Sequence, residues 1–81
     1  MSALTLYDYA ASANCFKVRL LLAQLGMEYE RVAIDIFDGD TLTDAYERLN
    51  PFRSTPVLQL PDGRTFIESN AILWYLARST P

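Results

Sequence analysis

Ser12-Ala13-Asn14-Cys15 has the spacing of a Cys-x-x-Cys dithiol with serine in the first place. A dithiol at that spacing opens and closes a disulfide, and the serine removes that option. What remains is a hydroxyl placed three residues ahead of the only thiol in the chain. The four residues follow a short apolar run and precede a longer one, so they read as a turn from strand to helix. Such a turn gathers unpaired backbone N–H groups at the positive end of a helix dipole and stabilises a thiolate or another anion brought to it. The chemistry implied is therefore on a sulfur that another molecule supplies. Ser12 would serve there as a hydrogen-bond donor and not as a nucleophile, because no base is available to take its proton. A plain helix cap is the other reading of Ser12.

The elements around this turn follow from periodicity. Residues 3–8 alternate with period two and predict a strand with Leu4 and Leu6 on one face. Residues 14–25 predict a helix, capped by Ser12 or Asn14 and ended by Gly26. Residues 29–35 predict a second strand, parallel to the first through the helical crossover. An acidic loop, a short helix around Leu42 to Leu49 and an irregular stretch at Asn50-Pro51-Phe52 fill residues 36–55. Val57 to Leu60 and Arg64 to Ile67 flank Pro61-Asp62-Gly63 and predict a hairpin. A last helix runs from about Ser69 to Arg78. The order βαβ, short helix, ββα predicts an α/β (α+β) fold with one mixed four-stranded sheet and helices packed on it.

The first helix carries two apolar stripes, Val18, Leu21, Leu22 and Leu25 on one side and Phe16, Leu20 and Ala23 nearly opposite. The last helix shows a similar surplus, with Ile72, Leu73 and Leu76 together and Trp74 and Tyr75 pointing elsewhere. The second faces ask for another layer, a domain or a subunit. Arg78-Ser79-Thr80-Pro81, polar and ending in proline, reads as the start of a linker, so residues 1–78 form the domain and 79–81 lead out of it.

Composition excludes several functions. The chain has 81 residues, 51% of them hydrophobic, which suits one small domain. Seven basic and ten acidic residues are interspersed, with a net charge of −3, so there is neither a nucleic-acid stripe nor a polybasic membrane patch. One cysteine and no histidine rule out an internal disulfide framework and a Ser-His-Asp triad and call for no metal. Without a signal-like start or a spanning apolar run, the expected location is the cytoplasm.

The runs Leu6-Tyr7-Asp8-Tyr9, Ser12 to Arg19, Asn50 to Leu58 and Glu68-Ser69-Asn70-Ala71-Ile72, in that order and spacing, resemble the N-terminal, thioredoxin-like domain of soluble glutathione S-transferases of the serine type. The resemblance covers residues 3–78. It implies a domain that binds glutathione as substrate and activates its thiol against a small electrophile, as in detoxification. It also implies a homodimer and an all-helical second domain, without which the isolated domain is weakly active or inactive. Glutathione's thiol has a reference pKa of about 8.5, and each unit of lowering takes about 1.4 kcal/mol. A hydroxyl bonded to an anion supplies about 1.5 to 3 kcal/mol and a helix start about 0.3 to 1, so Ser12 and the turn can lower the thiol by one to two units.

The resemblance assigns the rest of the site. Asn14 lies in the same turn among the glutathione contacts. Thr55-Pro56-Val57 matches a cis-proline that faces the active site, where the Val57 backbone is expected to pair with the cysteine of glutathione; an ordinary proline opening a strand is the alternative. Ser69 is expected as the N-cap that holds the γ-glutamyl carboxylate, with Glu68 accepting from its ammonium, or as a cap with no ligand. Ser54 stands where the family often has a residue for the glycyl carboxylate, and Arg53 beside it is the expected substitute. Cys15 falls at the second cysteine of the redox motif, either as a small buried hydrophobe or as a redox thiol forming a mixed disulfide in a glutaredoxin-like reductase. Tyr7 and Tyr9 lie near the position of tyrosine donors in other classes, out of register. A non-catalytic interaction module is the third reading of the chain.

Overall fold

The computed structural model describes residues 4–78. Ala3 and the expected linker at 79–81 lie outside the described residues. The strands are β1 (Thr5–Asp8), β2 (Glu30–Ala33), β3 (Val57–Gln59) and β4 (Thr65–Phe66), and the helices are α1 (Ala13–Gln24), α2 (Asp44–Leu49) and α3 (Ser69–Arg78). The sheet order is β2-β1-β3-β4, with β1 parallel to β2 and the other neighbours antiparallel. This is the mixed four-stranded sheet that the sequence predicts.

Alternation along β1 sends its side chains to the two faces of the sheet. Leu4 and Leu6 are buried with Val18 and Leu22 of α1, Leu58 and Leu60, and Ile72 and Leu76 of α3. Removing such side chains from water contributes about 1.5 to 3 kcal/mol each. Tyr7 points to the opposite face, where its ring meets that of buried Tyr46 edge-on at 6.4 Å. α1 and α3 therefore cover one face of the sheet and α2 the other.

Local chemistry sets the boundaries. Gly26 adopts φ 67° beyond the end of α1, and Gly63 adopts φ 92° in the hairpin turn, where the Leu60 amide bonds to the Arg64 carbonyl at 2.8 Å. Asn14 is exposed inside α1, so Ser12 alone is the cap. β2 is shorter than expected and exposed at all four residues, as an edge strand is. The acidic loop contains two 3-10 turns, Ile36–Asp38 and Asp40–Leu42, and α2 begins only at Asp44 behind the Thr43 cap. The Asp35 carboxylate accepts from the Phe37 and Asp38 amides and so competes with a longer helix.

Both extra apolar faces are exposed, with Phe16 54%, Leu20 46% and Trp74 66% accessible. Tyr75 is the exception to the expectation, because its ring stacks on Phe66 at 4.6 Å.

Candidate active site

The topology brings three backbone features to one end of the sheet. β1 runs out of the sheet at Asp8 and feeds the start of α1. β3 runs antiparallel, with Val57 opposite Tyr7, so the residues before Val57 lie at that same end. β4 is antiparallel to β3 and therefore points as β1 does, which delivers the start of α3 there too.

At the start of α1, Ser12 has φ −79° and ψ 129°, and its Oγ accepts the Cys15 amide at 3.2 Å. The hydroxyl proton of Ser12 and the amides of Ala13 and Asn14 have no acceptor among the described residues. These donors surround the positive end of the helix and suit an anion. Cys15 is fully buried, and its Sγ accepts the Tyr9 amide at 3.4 Å. A thiol held this way is closed to a mixed disulfide, which removes the basis of a reductase using Cys15.

At the second feature, the Thr55–Pro56 bond is cis. The Leu4 and Asp8 carbonyls bond to the Glu30 and Ile34 amides, so the even residues of β1 face β2 and Tyr7 faces β3. On β3, the Leu60 amide faces Arg64 across the hairpin, and alternation then turns Leu58 to β4 and Val57 to Tyr7. The Val57 backbone is thus engaged within the sheet, contrary to its expected role. Thr55, two residues earlier, differs: neither its N–H nor its C=O has a hydrogen-bond partner among the described residues.

The loop before Thr55 is tightly fixed. The Tyr46 hydroxyl donates to the Ser54 carbonyl at 2.6 Å, and buried Asn50 donates to that carbonyl at 3.0 Å and to Ser54 Oγ at 2.9 Å. Asn50 Oδ1 accepts the Phe52 amide and its carbonyl accepts the Arg53 amide, both at 2.9 Å. Burial, reinforced by Cys15 and Tyr7, pushes Tyr46 up to about 12, so its phenol remains a donor. Arg53 donates to Glu47 at 2.9 Å and to the Thr41 carbonyl at 3.4 Å. Its guanidinium is occupied, whereas the Ser54 hydroxyl proton has no acceptor among the described residues.

The third feature is the start of α3. The Ile72 amide bonds to the Glu68 carbonyl at 2.9 Å, so Glu68 holds the cap position, one place earlier than expected, and Ser69 is the first helical residue. The amides of Ser69, Asn70 and Ala71 have no partner among the described residues, and exposed Glu68 carries a carboxylate with none either.

Sequence reasoning missed the support behind Ser12. The Asp8 carboxylate is fully buried and pairs with Arg19 of α1 and, at 2.5 Å, with Nε of Arg31 on β2. The signal was present in the alternation that places Asp8 on the buried face with Leu4 and Leu6. An acidic residue there requires cations, and Arg19 and Arg31 are the ones the fold delivers.

The sequence and the fold are matched by known proteins. Residues 11–79 match the family model for the glutathione S-transferase N-terminal domain. The chain belongs to that family. It is 37% identical over 78 residues to a maleylacetoacetate isomerase of Mus musculus, covering 94% of this chain and 36% of that protein. A zeta-class glutathione S-transferase of Euphorbia esula is 37% identical over 79 residues, 96% of this chain and 34% of its own length. Among solved structures, a glutathione S-transferase from Pseudomonas fluorescens superposes with TM-score 0.94 at 46% identity, over 98% of this chain and 39% of that one. A glutathione transferase homologue from Sulfitobacter with bound glutathione gives 0.92 at 27% identity, over all of this chain and 38% of its own. The chain thus spans a little over a third of the length of these relatives.

Proposed function

We propose that this chain is the glutathione-binding domain of a glutathione transferase that presents the tripeptide's sulfur as a thiolate. The unpaired groups at one end of the sheet support the reading, because their types match the ligand piece by piece. The Ser12 hydroxyl and the α1 amides take the sulfur. The Thr55 N–H and C=O pair with the backbone of the cysteine. The amides at the start of α3 and the Glu68 carboxylate take the charged γ-glutamyl end, and the Ser54 hydroxyl is the donor left for the glycyl carboxylate.

The electrophile is bound mainly by the helical domain, and we place the whole protein in the cytoplasm as a homodimer. The relatives bear both transferase and isomerase names, and one thiolate serves both reactions. In a transfer the new carbon–sulfur bond persists; in an isomerisation the sulfur adds, the substrate rotates and the same bond breaks. Titration with glutathione followed by amide chemical shifts tests the binding. Shifts at Ala13, Asn14, Thr55 and Ser69 to Ala71 are expected, and none at millimolar ligand would leave an interaction module as the better reading.

A further inference from the structure

The loop that carries Ser12 hangs between a buried carboxylate and a carbonyl, and one side chain reaches both. Arg19 pairs through Nη1 with Asp8, while its Nη2 donates to the Ala10 carbonyl at 3.2 Å. Residues 9–12 are further tied by the Ser12 amide on the Tyr9 carbonyl at 3.0 Å and by the Tyr9 amide on Cys15 Sγ. Arg31 pairs with the same carboxylate but, among the described residues, has no hydrogen bond to the loop. The planar guanidinium suits this bridging because it presents fixed donors in two directions at once, which an ammonium does not. Asp8 in turn is held from both sides and fixes where Arg19 sits.

We infer that Arg19, clamped on buried Asp8, is a positioning residue that holds the Ala10 carbonyl and through it sets the place of the Ser12 hydroxyl. The inference rests on the reading of Ser12 as the thiol's donor. Arg31 supplies the control, since it shares Asp8 without sharing the loop. A purely structural role for Arg19 predicts that losses at the two arginines look alike; a positioning role predicts that only Arg19 reaches Ser12.

The experiment compares Arg19→Lys with Arg31→Lys in this chain by two readouts. Hydrogen exchange at the Ser12 amide needs no glutathione, and it should run about tenfold faster in Arg19→Lys than in Arg31→Lys, because a charge-assisted bond anchoring the loop is lost. The pKa of the glutathione thiol, followed by thiolate absorbance, should rise by about half a unit or more in Arg19→Lys and stay at the parent value in Arg31→Lys. Equal exchange in the two variants overturns the inference whatever glutathione does. Selective exchange with an unmoved thiol also overturns it when Ser12→Ala does raise the thiol pKa. If Ser12→Ala leaves that pKa unmoved as well, the donor reading of Ser12 has failed, and with it the catalytic part of the inference, while the exchange result decides the anchoring of the loop.

Discussion

The starts of α1 and α3 lie at the same end of the sheet and both leave amides unpaired, yet they are built differently. The α1 start is braced: Ser12 caps it, Cys15 anchors Tyr9, and Arg19 ties the loop to a carboxylate that has no exposure. Among the described residues, the α3 start carries only the Glu68 carbonyl bond to Ile72 and an exposed carboxylate. The loop before Thr55, held by Tyr46 and Asn50, belongs with the braced end. A reacting sulfur must be held to a fraction of an ångström, while a charged terminus tolerates a looser grip. Under the proposed function, the difference in bracing separates the place of chemistry from the place of attachment.

The sharpest way to break this contrast is to remove each carboxylate in turn. Asp8→Ala leaves two guanidiniums without their partner and should cost about 3 to 5 kcal/mol in urea unfolding, while Glu68→Ala should stay within about 0.5 kcal/mol. Similar losses at both would dissolve the distinction. Next come the two serines. Ser12→Ala should raise the bound thiol's pKa by about one to two units and cost about 1 kcal/mol through the lost cap. Ser69→Ala should weaken glutathione binding a few-fold, on the order of one neutral hydrogen bond, and leave the thiol pKa alone; a shifted pKa there would erase the division of labour.

The last test concerns Tyr46. Its folded-state pKa of about 12 exceeds the ordinary value of 10.0, so the folded chain keeps a proton that the unfolded chain loses above pH 10. The stabilisation is whole below pH 10 and declines as pH rises through the range to about 12, by at most about 1.4 kcal/mol per unit. Tyr46→Phe should flatten that part of the unfolding-versus-pH curve and cost about 1 kcal/mol at neutral pH. An unchanged curve would show that Tyr46 does not brace the Thr55 loop.

Much of this was legible in the residues. Alternation at Leu4 and Leu6, glycine at 26 and 63 and the Ser12 cap are local signals, and the structure follows each of them. Val57 was misread because alternation orients backbone groups as well as side chains, and which side is already paired depends on β1 lying beside β3. The Ser69 cap shifted by one residue, a displacement smaller than local propensity resolves. Asp8 was passed over because a lone acid at a strand end looks like solvent-facing polarity. Alternation with Leu4 and Leu6 already points it inward, and the fold adds what the sequence does not show, the arrival of residues 19 and 31 as its partners.

Burial of Cys15 has a practical consequence. The chain's single cysteine is sealed from reagents, so two native copies of it have no exposed thiol with which to cross-link. In a mixture with glutathione, a thiol-specific dye or an alkylating agent reads the tripeptide against a silent protein background. Any slow labelling of the protein itself then serves as a clock for its unfolding.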